Sequence, residues 1–174
     1  LAYRRHFKTE EIGKRLLIVP EWELDSVLAS SGQSEHSSIR TVVHLDPGMA
    51  FGTGKHETTR ACLEYIEELS DRRASPSSSP SFLDMGCGSG ILSIAAAKLG
   101  FSSVAGFDID EEAVEASREN AAKNGVQVDY RVFALGKGAV TLDSSIEAAK
   151  GIYPDLALQG KANDPAAKPF QPAD

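Results

Sequence analysis

Three glycines at alternate positions, Gly86, Gly88 and Gly90, follow the apolar run in the stretch FLDMGCGSG. Without side chains the backbone can turn sharply, and a ligand can lie directly on it near the N-terminus of the helix that follows. Two acids accompany this glycine turn: Asp84 precedes it, and Asp108 lies 22 positions after Gly86. Asp108 can accept hydrogen bonds from both ribose hydroxyls of a nucleoside. Asp84 can hold amide groups of the turn or face a positively charged ligand.

The spacing of the glycines narrows the class of ligand. A dinucleotide fingerprint requires its third glycine one place later, where Ile91 stands. A P-loop requires a lysine at its end, whereas the first lysine after the turn is Lys98. A nucleoside without phosphates and with a cationic amino-acid arm fits the turn and its two acids. The alternative is a tight strand-to-helix turn that binds no ligand.

A second glycine-rich stretch, LDPGMAFGTGKHETT, covers residues 45–59. Its GTGK is not a P-loop, because the glycines are spaced one residue too far apart and His56 replaces the Ser or Thr that would hold magnesium. We therefore predict no metal site. A connector that ends in a helix N-cap at Thr58 explains the glycines and threonines. It does not explain why Phe51, His56 and Thr59 gather ahead of the glycine turn.

The elements that must position these residues follow from the hydrophobic pattern. Residues 81–133 read as strand, helix, strand, helix, strand, and each helix is closed by a glycine. This order is typical of a parallel sheet with right-handed crossovers. Ahead of it we predict strands at 16–19 and 41–48 and an amphipathic helix at 58–69. The predicted fold class is α/β with a parallel sheet core.

The domain organisation is predicted from the same pattern and from composition. Residues 1–40 are a lead-in segment with one strand, residues 41–159 are a cofactor-binding domain, and residues 160–174 are a disordered tail with little apolar content. The serine- and proline-rich stretch at 72–81 is a surface connection, because the helix before it is too short to stand alone.

Composition excludes several classes of protein. The 174 residues are 41% apolar and 25% charged, which suits one globular domain. The net charge of −7 argues against direct nucleic-acid binding, since little would neutralise the phosphates. No run approaches the roughly 18 apolar residues of a membrane helix. Cys62 lies in a helical pattern and Cys87 in the glycine turn, so we expect no disulfide and a reduced, cytoplasmic setting.

Three stretches resemble the ribosomal protein L11 methyltransferases, class I S-adenosylmethionine-dependent enzymes with a Rossmann-like fold. They are LDPGMAFGTGKHETTRACLEYIEEL, FLDMGCGSGILSIAAAKLG and GFDIDEEAVEASRENAAKNGV, within a similarity that extends from about Phe7 to Phe133. The resemblance implies that S-adenosyl-L-methionine is the cofactor. It also implies that the methyl acceptors are lysine side-chain amines and an N-terminal amine of ribosomal protein L11.

The resemblance further implies roles for individual residues. Thr59 touches the methionine end of the cofactor, Gly86 forms its floor and Asp108 binds its ribose. The Phe51–Thr53 loop covers the site near the transferred methyl. His56 has two interpretations, a base that accepts the proton of the amine or a hydrogen-bonding residue that positions the substrate.

The sequence departs from the family pattern at both ends. The family carries a separate N-terminal recognition domain, and after its third strand a pattern like D-x-x-x-A-N-I supplies an asparagine to the cofactor. Here Gly160 occupies the aligned place and Asn163 is out of pattern. We expect an incomplete sheet that is covered by a partner chain or is only marginally stable. The alternative functions are a non-catalytic cofactor-binding module and a methyltransferase acting on a small molecule or nucleic acid.

Overall fold

A computed structural model describes residues 7–31, 40–46, 57–72 and 80–133 of the chain. Its strands are β1 (Glu10–Ile12), β2 (Leu16–Pro20), β3 (Thr41–Leu45), β4 (Ser81–Met85), β5 (Ser103–Asp108) and β6 (Asp129–Val132). Its helices are α1 (Leu24–Ser31), α2 (Glu57–Asp71), α3 (Ile91–Lys98) and α4 (Glu111–Lys123), with a short 3-10 turn at Glu21–Glu23.

The predicted parallel sheet is confirmed. Strands β4, β5 and β6 lie side by side in that order, and both pairs are parallel. In register, Met85 lies opposite Phe107, and Asp108 lies opposite Val132. The carboxyl ends of the three strands therefore meet at one edge. We call residues 85–90, 108–110 and 132–133 the carboxyl edge.

A second sheet precedes this one along the chain. Strand β2 pairs antiparallel with β1 and parallel with β3. The predicted strand at 16–19 is confirmed and includes Pro20, whereas β1 and α1 were not predicted. Ile12, Leu16 and Val43 are fully buried, so this sheet contributes to the hydrophobic core.

Helix α3 contacts strands of both sheets, namely β3, β4 and β5, and it also packs against α2. Ser93, Ile94, Ala95 and Ala96 are all buried. A helix that is apolar on most of its surface must be covered on most sides. The small alanine and serine side chains let the neighbouring elements approach α3 closely.

The predicted glycine ends of α3 and α4 are confirmed by their hydrogen bonds. After α3, Phe101 N donates to Ala96 O and Gly100 N donates to Ala97 O, both at 3.1 Å. This is the Schellman pattern, in which a glycine with positive φ ends the helix. Gly125 ends α4 in the same way, with a φ of 66°.

Several predictions concern parts of the chain that lie outside the described residues. These parts are the Ser/Pro-rich connection at 73–79, the segment 134–159 and the tail at 160–174. The domain boundaries after residues 40 and 159 stay predictions. Among the described residues, none of the helices is both long and apolar enough to cross a membrane.

Candidate cofactor site

The glycine turn connects β4 to α3 at the carboxyl edge. Gly86, Gly88 and Gly90 have φ values of 77°, 53° and 78°, in the left-handed region that residues with side chains rarely adopt. The amides of Gly86 and Cys87 both donate to Phe107 O, at 2.9 and 3.0 Å. The turn is therefore anchored to the end of β5.

Two of these glycines are required for different reasons. A Cβ on Gly90 would lie 2.6 Å from Tyr130 Oη and 3.2 Å from Ser117 Cβ, so a side chain there collides with the protein. A Cβ on Gly86 would meet no atom within 4 Å. The backbone at Gly86 therefore presents an open face on which a ligand can lie.

Asp108 ends β5 beside this turn and is half-buried. Its Oδ2 accepts a hydrogen bond from Gly88 N at 2.9 Å, and its Oδ1 accepts one from Asp110 N at 3.1 Å. Asp110 in turn caps α4 by accepting from Glu112 N at 3.0 Å. A carboxylate oxygen has two lone pairs, so each oxygen of Asp108 can accept one further hydrogen bond from a hydroxyl.

Asp84 is buried beneath the turn, with a relative exposure of 4%. Its Oδ2 accepts from Ser93 N at 3.1 Å, in the first turn of α3. Because the N-cap of α3 is Gly90, which has no side chain, Asp84 takes the place of a capping residue. Burial, and to a smaller extent the charge of Asp108, raises the pKa of Asp84 to about 6. The amide that Asp84 holds belongs to Ser93 in α3 and not to the predicted glycine turn. Its predicted role toward a cationic ligand stays a prediction.

Exposed apolar side chains also lie at the carboxyl edge, and the sequence reasoning missed them. Met85 is 42% exposed, Ile109 74% and Val132 49%. Each belongs to the end of a different strand of the parallel sheet or directly follows it. Such a group can pack against a flat apolar surface such as a nucleobase.

Buried polar side chains support the turn from below. Tyr130, on β6, brings its hydroxyl to 2.7 Å from Ser93 Oγ. Ser117, on α4, donates to Gly88 O at 2.8 Å. All three side chains are buried. Residues far apart in sequence therefore fix the conformation of the turn.

The structure brings together five of the predicted site residues: Asp84, Gly86, Gly88, Gly90 and Asp108. Thr59 lies in the first turn of α2, half-buried, and α2 packs against α3. Its predicted contact with the cofactor stays a prediction. The predicted catalytic residues are Phe51, Thr53 and His56, and they lie outside the described residues.

The two cysteines are both free: Cys62 is exposed and Cys87 is buried. Burial raises the pKa of the Cys87 thiol to about 11, so this thiol stays protonated at neutral pH. Within the described ranges, no group of three or more His, Cys, Asp or Glu side chains is placed to hold a metal ion.

Comparison with known proteins identifies the family. The family model "Ribosomal protein L11 methyltransferase (PrmA)" matches residues 2–148. The chain is 42% identical over 138 residues to a ribosomal protein L11 methyltransferase of Symbiobacterium thermophilum, covering 79% of this chain and 40% of that protein. It is 48% identical over 125 residues to the protein of the same name from Trichlorobacter lovleyi, covering 72% and 38%.

A solved structure that matches this chain has a name of the same family as these relatives. The crystal structure of a ribosomal protein L11 methylase from Lactobacillus delbrueckii subsp. bulgaricus matches with a TM-score of 0.58 and 35% identity, covering 74% of this chain and 59% of that one. This match and the parallel β4–β6 sheet confirm the Rossmann-like α/β fold. The chain spans about two-fifths of the length of the curated relatives quoted above. It belongs to the ribosomal protein L11 methyltransferase family.

Proposed function

We propose that the chain binds S-adenosyl-L-methionine at the carboxyl edge and acts as an N-methyltransferase on ribosomal protein L11. The observation that carries the proposal is the open glycine turn at Gly86 with the carboxylate of Asp108 hydrogen-bonded beside it, 2.9 Å from Gly88 N. These are the features that a nucleoside requires from the end of a parallel sheet.

The residues at this edge fit S-adenosylmethionine better than a phosphorylated nucleotide. The lone pairs of Asp108 can accept from the two ribose hydroxyls. Ile109, directly after it, offers an exposed apolar surface to the adenine. Asp84 and Asp108 place negative charge at the turn, which favours a sulfonium cation and disfavours phosphates. The same two acids would hold the cofactor's cationic part close to the open face of Gly86.

The chemistry asked of the chain is mainly positioning. S-adenosylmethionine supplies a methyl group that is already activated by its sulfonium. The protein must then hold a neutral amine in line with that methyl, at about 3 Å. We assign the covering of the site near this methyl to the Phe51–Thr53 loop, and contact with the methionine end of the cofactor to Thr59. His56 is the candidate for receiving or orienting the amine proton.

Support for ribosomal protein L11 as the substrate comes from the names of the relatives. The net charge of −7 suits a substrate that presents lysine side chains and an N-terminal amine. We propose a cytoplasmic setting on the same grounds.

Incorporation of tritium from labelled S-adenosylmethionine into purified L11 tests this function. The expected result is label on L11, and its loss when the L11 amines are first acetylated. Binding of S-adenosylhomocysteine without any methyl transfer would contradict the proposed enzymatic activity and would favour a non-catalytic cofactor-binding module. Transfer to a small molecule or nucleic acid but not to L11 would contradict the substrate.

A further inference from the structure

A buried asparagine on α4 connects the two sheets beneath the glycine turn. Asn120 is 3% exposed. Its Nδ2 donates to Ser89 O at 3.0 Å, within the turn, and its Oδ1 accepts from Asp46 N at 3.3 Å. Asp46 directly follows β3. One rigid amide group therefore contacts both the turn and the end of β3.

A second asparagine lies one helical turn later and holds the same strand. Asn124 Oδ1 accepts from His44 N at 3.0 Å, and Asn124 Nδ2 donates to His44 O at 2.6 Å. The same Nδ2 lies 2.8 Å from Asn120 O. Asn124 makes no hydrogen bond to the glycine turn among the described contacts, so it holds β3 alone.

These bonds bridge elements that share no strand pairing. Strand β3 pairs with β2, and the glycine turn follows β4, in a different sheet. Each bond is buried or part-buried. Loss of one partner would leave a backbone group without a hydrogen bond in a low-dielectric interior, which is costly. The side chain of Asn120 therefore links the glycine turn to the end of β3 through hydrogen bonds.

We propose that Asn120 is a positioning residue that couples ligand binding on the glycine turn to the end of β3, with Asn124 as the second point of attachment. The proposal rests on the proposed function, since the ligand is the cofactor. Helix α4 would then do more than cover the sheet. Through Asn120 it holds Asp46 and Ser89, which lie in the two glycine-rich stretches of the chain, in fixed positions relative to each other.

Amide hydrogen exchange, measured by NMR with and without S-adenosylhomocysteine, tests the coupling. In the wild type we expect the ligand to slow exchange at the Asp46 and His44 amides. Asn120→Asp keeps an acceptor for Asp46 N but loses the donor to Ser89 O. We expect it to bind S-adenosylhomocysteine about ten-fold more weakly and to show no slowing at Asp46 at saturating ligand.

Two matched variants of α4 complete the design. Asn124→Asp loses its donor to His44 O, so we expect the ligand to slow exchange at Asp46 but no longer at His44. Glu119→Gln changes an exposed residue next to Asn120, and we expect it to behave as the wild type. If Asn120 and Asn124 only supported the fold, their substitutions would lower stability. They would not abolish the ligand-induced slowing of exchange at Asp46 and at His44 independently of each other.

Binding by the wild type without any change at the Asp46 amide would overturn the coupling alone. The coupling would also be overturned if Asn120→Asp retained the slowing. Absence of S-adenosylhomocysteine binding by the wild type would overturn the proposed function and the coupling with it. If Asn120→Asp does not fold, the wild type and Asn124→Asp give the decision. Slowing at Asp46 that persists in Asn124→Asp supports the coupling, and its absence in both proteins overturns it.

Discussion

Asp84 accepts a hydrogen bond from α3, but burying its carboxylate lowers the stability of the protein at neutral pH. Its pKa is raised from 3.8 to about 6, mainly by burial. The folded protein therefore holds the proton more tightly than the unfolded chain does. The stabilisation that comes from protonated Asp84 in the folded protein is fully present below about pH 4 and is lost as the pH rises through 6. The ionised carboxylate is retained at neutral pH beside the proposed cation site.

Asp84→Asn tests this account, because asparagine keeps an oxygen for Ser93 N but does not titrate. Between about pH 4.5 and pH 7.5 we expect the free energy of unfolding of the variant to rise relative to the wild type by about 2 kcal/mol. Urea unfolding at each pH measures it. At pH 7.5 the variant should also bind S-adenosylmethionine more weakly, since a negative charge is lost. A stability difference that does not change with pH would contradict the raised pKa.

The glycines of the turn yield a second prediction at this scale. Gly90→Ala should lower the free energy of unfolding by about 3 kcal/mol, because it combines a left-handed backbone with a collision against Tyr130. Gly86→Ala bears only the backbone strain and should cost about 1–2 kcal/mol while weakening cofactor binding. Chemical denaturation and ligand titration measure the two effects.

Tyr130→Phe provides the control for the collision. It removes the hydroxyl that a Cβ at Gly90 would meet at 2.6 Å, so Gly90→Ala should cost less in that background than in the wild type. Equal losses at Gly86 and Gly90, with no effect of Tyr130→Phe on either, would contradict the packing described for the turn.

The sequence predicted the turn itself but not what supports it. Glycine spacing and the following Asp108 are local signals, and the structure brings both to the same edge of the sheet. In the sequence, Tyr130 is only an aromatic residue within a predicted strand. Its partner Ser93 lies 37 positions away, so no local pattern indicates their contact. The burial of Ser117 and Asn120 does have a signal in the sequence, because both lie at helical spacing from the apolar residues Val114 and Ala121, which are buried on the same helix.

At the scale of elements, a buried glutamate joins α2 to the β1–β2 turn. Glu67 is 5% exposed, and its two oxygens accept from Lys14 N at 2.8 Å and Arg15 N at 3.0 Å. Gly13 adopts a φ of 55°, and a Cβ there would lie 2.6 Å from Glu67 Oε2. The turn is therefore shaped around this carboxylate, which also fixes where α2 lies.

Glu67→Ala should lower the free energy of unfolding by about 2 kcal/mol, because two part-buried backbone amides lose a charged acceptor. Glu68→Ala is the matched control. Glu68 is exposed and pairs with Arg72, which directly follows the helix, so its loss should cost only about 0.5 kcal/mol. Thermal or urea unfolding of both variants measures the difference. Similar losses in the two would show that Glu67 does not hold the turn.

The same contacts explain which elements the sequence could predict. Strand β2, with four of its five residues buried, and the alanine-rich α3 carry strong local patterns. Strand β1 has three residues, two of them glutamates, and shows no usable alternation. Arg60, on α2, holds it by donating to Glu11 O at 3.0 Å. Strand β1 also pairs with the neighbouring β2, but a contact with a residue 49 positions away gives no local signal.

At the scale of the whole molecule, the structure places the turn, its acids and an exposed apolar group at one edge of a parallel sheet. Topology alone requires this, because the carboxyl ends of parallel strands meet there. The sequence was therefore sufficient for the fold class and for bringing the predicted glycine turn and its two acids to one edge of the sheet, whereas their binding of a cofactor stays a prediction. The assignment of a substrate rests on the family, since a shared fold does not determine the molecule that is methylated.

Calorimetric titration with S-adenosylhomocysteine, on the wild type and on Asp108→Asn, tests the central claim most directly. We expect the wild type to bind one ligand per chain. The variant should remain folded in a thermal melt and bind about 10- to 100-fold more weakly, because a neutral amide replaces the carboxylate to which we assign the ribose hydroxyls. No binding by the wild type, or equal affinity in the two proteins, would contradict the assignment of the carboxyl edge as the cofactor site.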